Sequence, residues 1–414
     1  MSFGSRGDME PFLALGHILK SQGWQVVCAM PEQLQPLAAD ADLPFESLGP
    51  EFLDVLEGPD AKAVMGQRGS MLSRLRIMIK LHKASKALYP EMVARQWHLI
   101  KTHQPDLVVY HPKTYFPLLW GMANPGKAVI LSPVPCLFHA MDEYPVVAIP
   151  VNLGPFLNRL SYKLINRLFA KIAYKYTKGL AAEVGLGKPT YKAFAHHMLH
   201  QQPVVYGVAT SLFPQPGSWP AHARVVGFHE RPKHNHWQPA EALTQFIEAH
   251  NKILFISFGS MVNNNPSQKT TAIIQVLTQL GIPAIINTSW GGLEQQPGPG
   301  HILFVNSIPY DWLFPKIYAV VHHGGAGTTH MAMKYGCASL IIPHIADQFF
   351  WNNLMARQGV GPKGMAIKKL TTKTLAPLVE SLWQNQAYKA QAVTMAESMA
   401  REQHLPTLMG MLQP

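Results

Sequence analysis

Apolar residues along the chain fall into short continuous runs that are separated by longer stretches of amphipathic pattern. In the first half, runs at Val26–Met30, Leu107–Tyr110 and Ala128–Leu131 each have the length of a strand that is buried on both faces. The stretch Glu10–Gly23 has apolar residues at helical spacing, with Asp8 placed to cap it. This alternation predicts an α/β fold with a parallel, doubly wound sheet.

The second half of the chain repeats the alternation more regularly. A helical pattern runs from about Ser267 to Leu280, and another begins after Gly327. The apolar runs that predict strands are Ile253–Ser257, Ala284–Asn287, Ile302–Val305, Ala319–His322 and Ser339–Ile342. We therefore predict a second Rossmann-like domain.

The segment Phe213–Pro220 is rich in Pro and Gly and interrupts any regular element, so we place the domain boundary there. The prediction is an N-terminal domain at residues 1–213, a linker at 214–240 and a C-terminal domain at 241–385. A final helix at 386–414 is predicted to pack back on the N-terminal domain. We expect the two domains to face a cleft, because ligands of such folds bind at the carboxyl ends of the strands.

Composition excludes several protein classes. The 414 residues are 47% hydrophobic and 14% charged, which is enough apolar material for two cores and excludes disorder as the main state. Cys28, Cys136 and Cys337 lie too far apart for a disulfide framework or a cysteine zinc site, so we expect a reducing, cytoplasmic location. No run of about 18 apolar residues and no signal-peptide layout is present, so we expect neither secretion nor a membrane-spanning helix.

The net charge of +11 is concentrated in two segments. Residues 66–101 hold eight basic residues against Glu91, and residues 157–192 hold eight against Glu183. In the first segment Arg76, Lys80 and Lys83 share one helix face. This pattern favours a helix lying on an anionic membrane surface, at its cytoplasmic face, although a solvated face beside a core stripe gives the same pattern. We expect no nucleic-acid partner, because no motif of the usual binding modules accompanies the charge.

The most informative stretch is Val320–His330, whose sequence is VVHHGGAGTTH. A buried strand ends in two histidines, three glycines allow a tight turn and close approach of a ligand, and two threonines open a helix. Free N–H groups and the positive end of the helix dipole can hold a phosphate there without a lysine. The alternative is a tight strand-to-helix turn with threonine capping.

Three other patterns are set aside. Residues 121–128 have P-loop spacing, but Ala128 replaces the magnesium-binding hydroxyl and a strand follows where a helix is required. Asp40 and Asp42 resemble a metal-binding carboxylate pair, yet they lie where acidic turn residues are common. The 20 histidines show no ligand spacing, so we expect no metal site.

Six motifs in order along the chain resemble those of the family 1 glycosyltransferases of the GT-B architecture, especially the sterol glucosyltransferases and the glycosyltransferases of glycopeptide antibiotics. The motifs are Phe3–Asp8, Phe258–Met261, Trp290–Leu293, Ile308–Phe314, the glycine-rich run at 322–329, and Asp347 with Gln348. The resemblance covers nearly the whole chain. It implies two Rossmann-like domains around a cleft. Relatives begin with a full strand before the first motif, whereas only Met1, Ser2 and Phe3 precede it here, so we expect the first strand to be missing.

The resemblance also implies roles for residues of the second domain. His323, Thr328 and the backbone of Gly325 and Gly327 would hold the diphosphate of a nucleotide sugar, together with Ser260. Asp347 and Gln348 would bind the sugar hydroxyls, and Trp312 would pack around the uracil. From the residues alone, Asp347 can be a helix cap, Trp312 a core residue and Ser260 an ordinary turn serine.

In the first domain, the resemblance implies that Asp8 is the general base, while the residues alone favour a helix cap. His111, Pro133 and Pro135 would line the acceptor cleft, although His111 can equally be a structural histidine. The whole implies an inverting, metal-independent transfer of a hexose, glucose above others, from a UDP-sugar to a hydroxyl of a sterol, lipid or polyketide-like acceptor, with no cofactor. The alternatives are a nucleotide-sugar epimerase of the same fold and a binding protein that has lost catalysis.

Overall fold

The computed structural model describes the chain except residues 59–70, 148, 232, 234–236, 264, 289–290 and 414, and it does not describe the side chains of 56–57 and 71–85. The side chains of the predicted basic face, Arg76, Lys80 and Lys83, and Trp290 of the third motif lie outside the described residues. The chain divides into two compact units. The first unit contains the described residues up to Arg231 together with those from Gln403 on. The second contains the described residues between Arg231 and Gln403.

The strands of the first unit are all parallel. One pair consists of β1 (Cys28–Met30) and β2 (Phe45–Ser47). A four-stranded sheet has the order β3-β4-β5-β6, with β3 at Val108–Tyr110, β4 at Ala128–Ser132, β5 at Val204–Tyr206 and β6 at Ala223–Val225. β6 lies inside the segment 214–240 that was predicted to be a linker. The sequence did not predict this strand, because it is only three residues long and is recognised by its pairing with β5.

Met1 and Ser2 connect the pair to the four-stranded sheet through hydrogen bonds. The Met1 nitrogen donates to the Val109 oxygen at 2.8 Å, and the His111 nitrogen donates to the Met1 oxygen at 2.9 Å. On the other side, the Ser2 nitrogen donates to the Ala29 oxygen at 3.0 Å. Residues 1–2 therefore lie between β1 and β3, at the position where relatives are expected to have their first strand. That this chain lacks the strand remains a prediction from the sequence.

The second unit contains one five-stranded parallel sheet in the order β11-β10-β7-β8-β9. Its strands are β7 (Leu254–Ser257), β8 (Ala284–Asn287), β9 (Ile302–Val305), β10 (Ala319–His322) and β11 (Ala338–Ile341). Each agrees with a predicted run to within one residue, because strands buried on both faces are continuously apolar. The predicted α/β fold with parallel sheets in two domains is confirmed.

The helices connect these strands. Those of the first unit are α1 (Arg6–Ser21), α2 (Gln35–Asp40), α3 (Glu51–Glu57), α4 (Met71–His103), α5 (Phe116–Ala123), α6 (Pro155–Thr177), α7 (Tyr191–His200) and α15 (Leu405–Leu412). Those of the second are α8 (Glu241–Glu248), α9 (Pro266–Leu280), α10 (Tyr310–Leu313), α11 (Ala326–Lys334), α12 (Gln348–Arg357), α13 (Thr372–Gln384) and α14 (Gln386–Ala400). The long helix predicted at 386–414 is therefore two helices, α14 and α15.

Each unit has its own apolar core. In the second, side chains of β7, β8, β10 and β11 pack against α9 and α13. In the first, Met9, Leu13 and their neighbours on α1 pack with β1, β4 and β5, and Leu408 and Leu412 of α15 join the same cluster. Cys28, Cys136 and Cys337 are buried thiols. Within the described part of the chain, no helix is both long and apolar enough to span a bilayer.

Candidate functional site

The strand order of the second unit defines a switch point between β7 and β10. The chain proceeds from β7 to β8 and β9 on one side, then crosses to β10 and β11 on the other. Ligands of open α/β sheets bind at the carboxyl ends of the strands at such a point. Gly259 and Ser260 follow β7, and His323 follows β10. The structure therefore brings predicted site residues to adjacent strand ends.

His323 is a buried, neutral and incompletely bonded side chain. It is only 9% exposed, and its Nδ1 has no hydrogen-bond partner among the described residues. Burial lowers the pKa of His323 to about 4. The ring is therefore neutral near pH 7 and keeps one nitrogen available as a donor to a bound group.

Two glycines provide the space for this ring. A Cβ on Gly325 would lie 2.5 Å from Nε2 of His323, and a Cβ on Gly259 would lie 2.8 Å from its Cε1. Gly259 also has a φ of +57°. Any larger residue at either position would displace the imidazole. The glycines of this run thus position the histidine as well as allowing the chain to turn.

Helix α11 begins directly after His323 and Gly324, with Gly325 at its N-cap position. No side chain caps this helix. The threonine capping of the alternative interpretation is not observed, and the Thr329 hydroxyl donates to the Gly325 oxygen at 2.9 Å. Gly327 is exposed, with open space where a Cβ would lie, and Thr328 is half-buried. The first-turn N–H groups and the positive helix end are thus available to an anion.

Ser260 is half-buried in the turn after β7. The preceding strand is anchored nearby, because the Ser257 hydroxyl lies 3.1 Å from the Tyr310 hydroxyl. The structure thus places Ser260 at the predicted strand end, in the same turn as Gly259.

Asp347 and Gln348 follow β11 at the start of α12. Asp347 occupies the N-cap position, but its carboxylate does not cap the backbone and accepts a hydrogen bond from Trp351 Nε1 at 3.1 Å. The cap alternative for Asp347 is therefore wrong. Ala346 before it has a φ of +49°, a costly conformation for a residue with a Cβ. The side-chain oxygen of Gln348 accepts from the His344 and Ile345 nitrogens, at 2.7 and 3.1 Å, so it fixes this loop.

Trp312 lies half-buried on the short helix α10. The Lys316 ammonium lies 4.3 Å from the ring centroid, and the Trp237 ring packs edge-on at 5.0 Å. Two residues away, Tyr310 stacks on Phe314 with centroids 4.6 Å apart. This part of the unit is an aromatic cluster, of the kind that can pack against a flat base.

Asp8 lies in the first turn of α1, which begins at Arg6 and not at Glu10 as predicted. The N-cap residue is Ser5, so the expectation that Asp8 is the cap is wrong. Asp8 is the third helical residue, and its Oδ2 accepts from the nitrogen of Ser5 at 2.8 Å and from its hydroxyl at 3.1 Å. The reciprocal bond is a capping box, with an aspartate in the place of the usual glutamate.

The second oxygen of Asp8 faces two basic groups that follow β3. Oδ1 lies 3.3 Å from Nε2 of His111 and 3.1 Å from Nζ of Lys113. The backbone nitrogen of Lys113 donates a hydrogen bond to Nδ1 of His111 at 3.1 Å. Nδ1 is therefore the acceptor nitrogen, and the imidazole proton is on Nε2, which faces Asp8. Burial alone raises the pKa of Asp8, but the Lys113 charge and the His111 hydrogen bond hold it well below its usual range. Burial lowers the pKa of His111.

The remaining predicted residues of the first unit are less informative. Pro133 is half-buried and Pro135 is buried in the turn after β4. Lys113 was missed by the sequence analysis, and its only signal was its position two residues after His111. Asp40 pairs with Arg231 at 2.7 Å, and Asp42 pairs with Lys20 at 2.6 Å, as expected for acidic surface turns. The described residues contain no group of three or more His, Cys, Asp or Glu arranged to hold a metal.

Two protein-family models match the chain, one in each half. The glycosyltransferase family 28 N-terminal domain matches residues 1–103, and the erythromycin biosynthesis protein CIII-like C-terminal domain matches residues 284–409. A sterol 3-beta-glucosyltransferase of Arabidopsis thaliana is 26% identical over 403 residues, which are 96% of this chain and 65% of that protein. The chain thus spans less than two thirds of the length of this relative.

Solved structures share the fold. The glycotransferase of kitacinnamycin has a TM-score of 0.71 at 14% identity, covering 100% of this chain and 98% of its own. The spinosyn rhamnosyltransferase SpnG complexed with thymidine diphosphate has a TM-score of 0.65 at 16% identity, covering 100% and 99%. The resemblance that the motifs predicted is confirmed: the chain is similar to sterol 3-beta-glucosyltransferases over nearly its whole length, has the GT-B fold of the solved glycosyltransferases, and matches the models of the glycosyltransferase family 28 N-terminal domain and the CIII-like C-terminal domain.

Proposed function

We propose that the chain is an inverting, metal-independent glycosyltransferase, which moves glucose from UDP-glucose to a hydroxyl of a hydrophobic acceptor. The observation that carries the proposal is the pairing of two features in the second unit. One is the buried, neutral His323 with an unpartnered Nδ1, and the other is the uncapped N-terminus of α11, which begins three residues later at Ala326. Together they make a donor-rich turn suited to a diphosphate.

Two observations support a nucleoside diphosphate as the ligand of this turn: the hydrogen-bond donors that the turn offers, and a ligand named for a structural neighbour. A neutral histidine and backbone N–H groups can hold the diphosphate without a cation at the turn. The neighbour SpnG is described in complex with thymidine diphosphate, a ligand of the same class. Uracil would pack against the aromatic cluster of Trp312, and the sugar hydroxyls would bond to Asp347.

In the proposed reaction, the acceptor oxygen attacks the anomeric carbon and its proton passes to Asp8. The bond from that carbon to the diphosphate breaks, and the charge on the leaving UDP is stabilised by His323 and the helix terminus. One displacement inverts the anomeric centre and needs no second carboxylate as nucleophile. Asp8 must accept a proton, so we propose that the hydroxyl takes the place of the Lys113 ammonium, which is 45% exposed and can withdraw into solvent.

The hydrophobic acceptor is supported by the relatives. The Arabidopsis protein is named for a sterol substrate, and it aligns with 96% of this chain. The first unit carries Asp8, and it would bind the acceptor beside Pro133 and His111. A sterol or a sterol-like lipid is therefore the first substrate class to test.

The test is incubation with radiolabelled UDP-glucose and sterols or a mixed lipid extract, with and without EDTA. We expect label to enter the organic phase equally with and without EDTA, and this transfer to require His323 and Asp8. The product should be β-linked. His323→Ala should weaken UDP binding about ten- to a hundredfold in calorimetry, because one hydrogen bond to a charged group is lost. Asp8→Asn should leave UDP binding intact and abolish transfer, since Asn keeps the shape and accepts no proton.

Three results would overturn the proposal. Isomerised nucleotide sugar without transfer would indicate an epimerase, and tight UDP binding without either product would indicate a binding protein. UDP affinity that is equal in wild type and His323→Ala would remove the donor site itself. As a matched control, His200→Ala replaces an exposed histidine of the first unit and should change neither quantity.

A further inference from the structure

Helix α6 of the first unit presents an apolar face to solvent. Phe156 is 75% exposed, Leu164 is 56% exposed and Leu168 is 54% exposed. Leu157 and Leu160 are exposed as well, and Val151 and Leu153 extend the apolar surface into the preceding loop. Seven of the eleven strongly exposed large apolar side chains in the described part of the chain lie within these 18 residues.

The exposed residues form a continuous stripe. Phe156, Leu160, Leu164 and Leu168 follow one another at intervals of four, so they lie along one side of the helix. Leu157 lies beside them. An apolar row of this length exceeds the scattered single residues that are normal on a protein surface.

The other side of α6 is polar although it is buried. Asn158 donates to the Asp142 oxygen and Asn166 donates to the Phe138 oxygen, both at 2.7 Å. Ser161 accepts from the Val146 nitrogen at 3.0 Å. The helix is thus held to its unit partly by hydrogen bonds, while its large aliphatic side chains face outward. Folding of the unit gives no reason for that arrangement.

A basic stripe runs next to the apolar one. Its members are spaced four apart and are all exposed: Arg159, Lys163, Arg167, Lys171 and Lys175. The helix itself contains no acidic residue. Among the described residues, the one ion pair that this stripe makes joins Arg159 Nε to Asp142 Oδ1 at 3.2 Å, and both side chains are more than half exposed. The positive charge of the stripe is therefore largely uncompensated.

We infer that α6 is a membrane-docking helix, which lies in the plane of an anionic lipid surface with the Phe156–Leu168 stripe inserted below the headgroups and the basic stripe among the lipid phosphates. The charge and the apolar area each favour this occupant. A symmetric contact between two copies is disfavoured, because it would bring two basic stripes together. This inference goes beyond the proposed function, since it needs no catalytic activity.

The test is vesicle flotation of the full chain with phosphatidylcholine alone and with added phosphatidylglycerol, at low and at high salt. We expect binding to the anionic vesicles that weakens as salt rises, because screening removes the charge attraction. A triple variant Leu160→Ser, Leu164→Ser and Leu168→Ser should lose most of the binding. Lys163→Gln, Arg167→Gln and Lys171→Gln together should weaken it by about fivefold per charge.

Two control variants test whether binding depends on this face of α6 or on exposed apolar side chains and positive charge anywhere on the protein. Val27→Ser, Val393→Ser and Leu405→Ser remove exposed apolar side chains elsewhere. Lys368→Gln, Lys369→Gln and Lys373→Gln remove three exposed lysines of the second unit. Both control triples should bind as wild type does, and all variants should keep the wild-type circular dichroism spectrum.

Equal binding to neutral vesicles, insensitivity to salt, or full binding by the leucine triple would overturn the inference. So would a dimer in sedimentation without lipid that the leucine triple converts to monomer, since that result would assign the face to a second copy. UDP binding measured on the same variants should be unchanged, which keeps this outcome separate from that of the proposed function.

Discussion

Nζ of Lys113 lies 3.1 Å from Oδ1 of Asp8, although 105 residues separate the two in the chain. The same oxygen faces Nε2 of His111, and the other oxygen accepts from Ser5. Lys113 and His111 hold the pKa of this carboxylate well below its usual range. A carboxylate so strongly stabilised is a weak proton acceptor, so Lys113 sets how well Asp8 can act as a base.

Replacing Lys113 with methionine should move the acid limb of the activity profile to higher pH. The Lys113 charge lowers the pKa of Asp8, so its removal raises that pKa toward the usual value. Asp8 would then become protonated, and inactive, at a pH where the wild-type residue is still ionised. The measurement is kcat/KM for transfer as a function of pH.

Lys20→Met is the matched control, since Lys20 pairs with the exposed Asp42 at 2.6 Å and lies on the surface. Its profile should match that of the wild type. An unchanged acid limb in Lys113→Met would show that Asp8 does not limit the reaction.

Gly325→Ala should weaken UDP binding by displacing His323. The added Cβ would lie 2.5 Å from Nε2 of the imidazole, and overpacking of this kind costs about 1–3 kcal/mol. Urea denaturation measures the loss of stability, and calorimetry with UDP measures the loss of affinity.

Gly327→Ala is the comparison, because open space lies where its Cβ would be and the residue is in a helix. It should stabilise the protein by about 0.4–1 kcal/mol, through the smaller entropy of the unfolded chain. Equal destabilisation by the two variants would contradict the role assigned to Gly325.

Asp347→Asn should raise the KM for UDP-glucose about tenfold and leave the Kd for UDP unchanged. Asparagine can still accept the bond from Trp351 Nε1, so the loop keeps its structure, whereas the charged acceptor for sugar hydroxyls is lost. Asp347→Ala removes both and should also lower the thermal midpoint. Parallel changes in UDP and UDP-glucose affinity would argue against a role in sugar binding.

Acid should destabilise the second unit through its buried histidines. Burial lowers the pKa of His323 and of His330 to about 4, and it lowers the pKa of His322 and of His344 to about 3. In the unfolded chain these groups titrate near pH 6.5. The stabilisation is therefore complete above about pH 6.5 and is lost as pH falls toward about 4, by about 1.4 kcal/mol per pH unit for each histidine.

The measurement is urea denaturation at several pH values between these limits. His330→Phe should reduce the slope of unfolding free energy against pH by the contribution of one proton, because phenylalanine keeps the ring packed against Trp351 and does not titrate. Replacement of the exposed His200 should leave the slope as it is. A slope that His330→Phe does not change would show that this ring is not buried as a neutral group.

The strands of the second unit could be predicted because their signal is local. A parallel strand covered on both faces must be continuously apolar, so the runs at 284–287, 302–305 and 319–322 were found with their observed bounds. The strands β2, β5 and β6 of the first unit were missed. β2 and β6 each contain a charged residue, Glu46 and Arg224, so neither is a continuous apolar run, whereas β5 was missed although its three residues are apolar.

The sequence by itself determined the fold class, the two α/β halves and the glycine-rich turn, since each depends on residues that are neighbours in the chain. Only the tertiary structure decided what the candidate side chains contact. Contacts between residues distant in the chain bring Lys113 to Asp8, bury His323 with an unpartnered nitrogen, and leave the leucines of α6 exposed. These are properties of long-range packing, and local periodicity does not encode which face of a helix the rest of the protein covers.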